Sequence, residues 1–257
     1  RDASAWYHIT VAIDTTDSTA GDRARLYVNG ERVTDFSTES TWPLNHNTSV
    51  NSTVRALIGA NRPNSSSTLN SYLSGYLAEV NFIDGQALTP SSFGETDTTT
   101  GSWKPKAYSG TYGTNGFYLK FSDIATTSGS NAGLGKDFSG NANYWNTSGI
   151  SVTAGTTYDA MIDSPTLTSA TVANYCTFNP VVYNAGSVTY TQGNLLMSMT
   201  ASVDRFNIGT LAVPSGKFYW EVTINGISSS PDVGVGIIKQ TQTNNGPWVS
   251  NGGPNSI

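Results

Sequence analysis

"WYHITVAIDTTDSTAGDRARLYVNGERV", residues 6–33, carries two apolar alternations and one tight turn, and its reading decides the fold. Alternation with period two puts Tyr7, Ile9, Val11 and Ile13 on one face. Trp6, His8, Thr10 and Asp14 share the other, polar face, so the segment predicts a half-buried strand. Leu26 and Val28 then lead into Asn29-Gly30, and Val33 follows. Both central positions of a two-residue hairpin turn need positive φ, which Asn and Gly tolerate, so a hairpin is expected here.

The same period continues outward. "GYLAEVNFIDG" (75–85) aligns Tyr76, Ala78, Val80 and Phe82 before a turn at Asp84-Gly85. Thr89 is placed to cap a single helical turn that Pro90 opens. "GFYLKFSD" (116–123) directs Phe117, Leu119 and Phe121 inward, with Tyr118 and Lys120 outward. From 125 to 175 the chain loosens into Gly, Ser, Asn and Thr, yet it keeps too many rings for a free linker. "SVTYTQGNLLMSM" (187–199) reads as a hairpin. "GKFYWEVTI" (216–224) aligns Phe218, Trp220, Val222 and Ile224. "DVGVGII" (232–238) alternates Val233, Val235 and Ile237 with glycines. About ten strands, half on each side of the connector, predict an all-β protein of antiparallel β-sandwiches. The expected domains are 1–124, a connector over 125–175, and 176–257.

Composition narrows the function classes. Charged residues are 12% of 257, net charge is -5, and no Lys/Arg run exists. A nucleic-acid footprint is therefore not expected. No run of 18 apolar residues is present to insert into a membrane. The one cysteine, Cys176, excludes an intrachain disulfide and reads as a small buried hydrophobe. The first residues already lead into a strand, and the last follow a strand-rich stretch. A fragment of a longer polypeptide is expected.

"WYHITVAID", "RLYVNGERV", "ALIGA" and "GYLAEVNFIDGQALTPSSFGE" together resemble the later strands of a laminin G-like, concanavalin-type jelly roll. The longer run through "TGSWKPKAYSGTYGTNGFYLKFSD" and "LGKDFSGNANYW" is similar to structural proteins of tailed bacteriophages that carry such domains. The resemblance covers roughly residues 1 to 165. It implies an N-terminally truncated sandwich, since earlier strands of the jelly roll would precede residue 1. "SGKFYWEVTINGI" with "DVGVGII" is similar to the opening strands of a SPRY-type sandwich, implying a second, partial β-sandwich.

The chemistry-bearing residues fit binding better than catalysis. A concanavalin-type glycosidase needs two carboxylates flanking the scissile bond. "AEVNFID" offers Glu79 alone, with Asn81 and Ile83 at the next two positions of its face. His8 and His46 show no triad spacing, so no enzyme is expected. Laminin G-like domains bind calcium at rim loops, which makes Asp14, Asp17 and Asp22 candidate ligands. The plainer reading of "DTTDSTAGD" is an Asx-rich hairpin loop. Trp42, Asn45 and His46, with Asn61 and Arg62 as donors, form a candidate ligand-binding set, because a flat ring rimmed by amides suits a sugar face. Trp103, Tyr108 and Tyr112 read instead as rings that pack or assemble.

The resemblance implies a non-enzymatic virion protein: a tail fibre, adhesin or head-attached fibre at the particle surface. It would bind host surface glycan or protein as a homo-oligomer, a trimer in a fibre. Two alternatives stay open. One is an architectural protein that binds other capsid or tail subunits. The other is a carbohydrate-binding module of a larger secreted enzyme.

Overall fold

The computed structural model describes residues 5–38, 40–61, 69, 71–98, 101–152, 159–167, 171–180, 188–199, 207–211, 216–227 and 234–237. The chain divides into two compact units, one spanning Trp6–Asn174 and one that takes in the residues from Tyr175 onward. The described residues are all-β, with antiparallel strands and only three short 3₁₀ turns, Ala20–Asp22, Pro90–Ser92 and Gly133–Gly135.

In the first unit, β1 (Ile9–Ile13), β2 (Ala24–Val28) and β3 (Glu31–Arg32) form one sheet in that order. Ile9 faces Val28, Val11 faces Leu26 and Ile13 faces Ala24. The predicted turn forms, with φ 49° at Asn29 and 85° at Gly30. Asn29 also ties itself to β1: its Oδ1 accepts from the His8 N–H, and its own N–H donates to the His8 carbonyl, both at 2.8 Å.

The burial of β1 runs opposite to its polarity. Thr10 and Ala12 are buried, whereas Ile9 and Val11 are 64% and 59% exposed. The reason is Trp103, distant in sequence. Its indole lies 5.7 Å from the His8 ring and pushes against the β2–β3 turn. A Cβ on Gly30 would sit 2.4 Å from that indole, and one on Gly94 would sit 2.5 Å from it. These two glycines let the ring wedge between backbones, and the wedge selects the His8 face as the inner one.

β4 (Val80–Phe82) pairs with β7 (Phe117–Leu119) and puts Val80, Phe82, Phe117 and Leu119 on one face. Leu119 is 1% exposed, as the inward reading of that strand requires. Phe82 stacks on Phe117 at 5.4 Å, and Trp145 meets Phe117 edge-on at 5.1 Å. β5 (Gly94–Thr96) pairs with β6 (Trp103–Pro105). The Pro90 turn is present as 3₁₀, but Thr89 does not cap it. Its hydroxyl bonds the Ser91 hydroxyl at 2.9 Å instead.

Within the Gly/Asn-rich stretch after 125, Asp137 gathers the most hydrogen bonds of any carboxylate among the described residues. Asp137, 3% exposed, accepts from Tyr118 N, Ser139 N, Ser139 Oγ and Asn143 N, each at 2.8 Å. Asn141 and Asn143 in turn donate to the carbonyls of Gly113, Thr114 and Gly116 ahead of β7. Burial works against the ionised Asp137, but these hydrogen bonds outweigh it and hold its carboxyl below the ordinary 3.8. A segment low in apolar residues thus gains order from polar satisfaction.

In the second unit, β8 (Val188–Thr191) and β9 (Leu196–Met199) form the predicted hairpin. "GKFYWEVTI" does not form a strand. Phe218, Trp220, Val222 and Ile224 lie about half exposed without a ladder partner among the described residues. Alternation makes a strand only where a neighbour takes up the backbone hydrogen bonds. Val235 and Ile237 are likewise exposed, with no ladder partner among the described residues; Val233 lies outside the described residues. Cys176 is exposed rather than buried. Thr177 takes the inner place, its hydroxyl 3.1 Å from that of Thr210, while the Cys176 sulfur lies over Gly209.

Candidate functional site

Two loops of the first unit meet at one rim. The first joins β1 to β2 and holds Asp14, Asp17 and Asp22. The second holds Trp42, Asn45 and His46. Arg23 unites them. Its side chain donates from Nε to the Asp17 carbonyl at 2.8 Å, from one terminal nitrogen to the Trp42 carbonyl at 2.6 Å, and from the other to the Ser18 carbonyl at 3.2 Å. Arg23 is 8% exposed, so three carbonyl dipoles solvate a buried cation. The Asn45 N–H adds a 2.7 Å bond to the Thr15 carbonyl.

This scaffold presents an aromatic pair. Trp42 and His46 stack with centroids 5.9 Å apart and planes 27° apart. Asn45 adopts φ 56° between them, which turns the loop tightly enough for the rings to meet. His46 and Asn45 are exposed and Trp42 is half-buried. Three of the five predicted ligand residues are therefore neighbours in space. Asn61 borders a separate open groove of about 710 Å³, lined by Leu57, Tyr72, Leu73 and Leu77 among others. Arg62 lies outside the described residues.

The three aspartates are spent separately. Asp14 accepts from Thr16 N and, at 2.6 Å, from Thr16 Oγ1; the Thr16 hydroxyl bond is the chief cause holding its carboxyl below 3.8. Asp17 accepts from Thr19 N at 2.8 Å, and Asp22 pairs with Arg32 at 2.5 Å. Among the described residues, no group of three or more His, Cys, Asp or Glu side chains could hold a metal ion. With Arg23 bonded beneath the same loop, the arrangement is the Asx-rich hairpin loop and does not fit a calcium cage.

A second set of rings packs together. Phe93, Tyr108, Tyr112 and Tyr118 run in sequence, with successive centroids 5.1, 5.1 and 6.3 Å apart. Tyr112 donates to Asn81 Oδ1 at 2.9 Å, and burial chiefly pushes its hydroxyl up to about 12. Glu79 stands in the left-handed region at φ 53°, just before β4, and accepts from the Thr166 hydroxyl at 2.7 Å. His8 is held below 6.5, chiefly by burial, with the Glu79 charge acting the other way.

What sequence reasoning missed is Arg23, the residue that makes one rim of two loops. The signal was weak: an arginine just after an Asx-rich loop, whose acceptors are carbonyls invisible in any motif.

The antiparallel all-β architecture and this loop rim define the class: a β-domain with exposed rim loops. Residues 2–92 match the family model described as the concanavalin A-like lectin/glucanases superfamily, which takes in β1 to β4, both rim loops and the Pro90 turn. No curated protein and no solved structure matches the chain.

Proposed function

We propose that the chain is a non-catalytic binding protein of a tailed-bacteriophage particle, presenting the Trp42–His46 rim to host surface glycan or protein. The observation that carries the reading is the stacked ring pair on loops fixed by Arg23. A preorganised aromatic face with an exposed amide beside it binds without first losing loop entropy. The concanavalin-like match over residues 2–92 is compatible with carbohydrate or protein recognition. The particle assignment comes from the resemblance of the run that ends in "LGKDFSGNANYW". Single sites of this kind bind weakly, and copies on one particle multiply them. The test is location. Antibody against the purified chain, imaged on intact particles, should label exposed fibres or head decorations. Absence from the particle surface refutes the reading.

A second reading has its own observation. Ile9 and Val11 are open to solvent, beside half-buried Leu26 and Val28 on the same face of the sheet. Such a face suits subunit assembly better than sugar, which favours the architectural alternative. Glycan binding that survives substitution of this face would separate the two.

A further inference from the structure

We propose that Asn225 is a site of self-modification, at which the backbone nitrogen of Gly226 attacks the Asn225 side chain and converts it to aspartate and isoaspartate. The chemistry needs a side-chain carboxamide, a following residue without a Cβ, and a backbone free to bring the two together. The chain has five Asn-Gly pairs, at 29–30, 115–116, 225–226, 245–246 and 251–252. The last two lie outside the described residues. Among the other three, the fold leaves that freedom to one.

Asn29 is locked in the β2–β3 turn at φ 49°. Its Oδ1 accepts from the His8 N–H and its own N–H donates to the His8 carbonyl, both at 2.8 Å. The Trp103 indole packs against Gly30 and leaves that residue no room to swing. Asn115 is held on both sides. Its N–H donates to Asp84 Oδ2 at 3.0 Å. Gly116 is buried against the Tyr112 carbonyl, and its own carbonyl accepts from Asn141 Nδ2 and Asn143 Nδ2, each at 2.9 Å. Asn225 differs. It and Gly226 are exposed, and among the described residues no hydrogen bond ties either of them. No atom lies within 4 Å of the place a Gly226 Cβ would take.

The step balances with water as the sole co-reactant. The Gly226 nitrogen gives up its proton and bonds to Asn225 Cγ. The Cγ–Nδ2 bond breaks, and ammonia leaves with that proton. Water then opens the cyclic imide. Opening at Cγ restores the main chain and leaves aspartate. Opening at the main-chain carbonyl leaves Gly226 joined through the former side chain, a methylene further from Ile224. Either product adds a negative charge just after the exposed "GKFYWEVTI" stretch.

The experiment incubates the full chain at mildly alkaline pH, folded and in parallel in guanidinium chloride. Peptide mapping by mass spectrometry follows aspartate and isoaspartate at each pair. In the folded chain Asn225 should convert at least about tenfold faster than Asn29 or Asn115, because attack needs an alignment that the two locked turns deny. In denaturant only the shared Asn-Gly sequence remains, and the three rates should converge. Gly226→Ala puts a methyl into open space, so it should slow conversion at Asn225 without changing the melting of the chain. Folded-state conversion at Asn29 or Asn115 as fast as at Asn225 overturns the proposal. So does an Asn225 that stays intact in the folded chain while the denatured chain converts, or a rate that Gly226→Ala leaves unchanged.

Discussion

Replacing Asp137 with Asn tests how the Gly/Asn-rich stretch is held. In the wild type the two carboxylate oxygens accept four hydrogen bonds from Tyr118, Ser139 and Asn143. An amide retains one oxygen, which can keep the Tyr118 and Ser139 N–H groups. Its NH₂ then faces the Ser139 hydroxyl, which can rotate to accept, and the Asn143 N–H, which cannot. One buried donor is orphaned at about 1–3 kcal/mol, and the surviving bonds lose charge assistance at about 0.5–1 kcal/mol each. The sum is about 2.5–6 kcal/mol, or a fall of about 5–24 °C in the melting of the Trp6–Asn174 unit. Tryptophan fluorescence during heating and urea titration reads it, with exposed Asp35→Asn as the control. The sign with pH follows from the depressed carboxyl. Its contribution is full above the unfolded value near 3.9 and is lost as pH falls through the lower folded value. The wild type should therefore lose its advantage over Asp137→Asn in that acid range. A variant that melts within about 0.5 kcal/mol of wild type at neutral pH refutes the reasoning.

Gly30→Ala should destabilise by about 2 kcal/mol or more, because the new methyl meets the Trp103 indole and φ is positive; equilibrium urea unfolding checks it. His8→Gln should flatten the pH dependence of stability below 6.5. The wild-type contribution is present above that value and is lost as pH falls through the lowered folded value, so stability curves at pH 5 and 7 decide it. Arg23→Met should separate the rim loops and expose Trp42, read as a red-shifted emission that Trp42→Phe removes.

The hairpin was legible because Asn29-Gly30 is a local signal with a local cause, and its φ values follow from the residue types. The inner face of β1 was not. Both of its faces carry apolar or aromatic residues, and the choice is made by Trp103, whose approach depends on Gly30 and Gly94. Leu119 was legible from alternation, whereas the order after residue 125 depends on Asp137, which looks like any turn aspartate. Trp42, Asn45 and His46 were legible as a set because they lie within one loop. Arg23 was not, since its partners are carbonyls brought together only by folding. Cys176 was misplaced by one position of alternation, because hydrogen bonds with Thr210 take Thr177 inward instead.

The most direct test is a glycan array probed with the full chain, wild type beside Trp42→Ala and His46→Ala. The account predicts discrete glycan hits for the wild type and at least about tenfold weaker binding for Trp42→Ala, whose ring supplies the stacking face. Hits that Trp42→Ala retains at full strength, or no hits across neutral and acidic glycans alike, would contradict it.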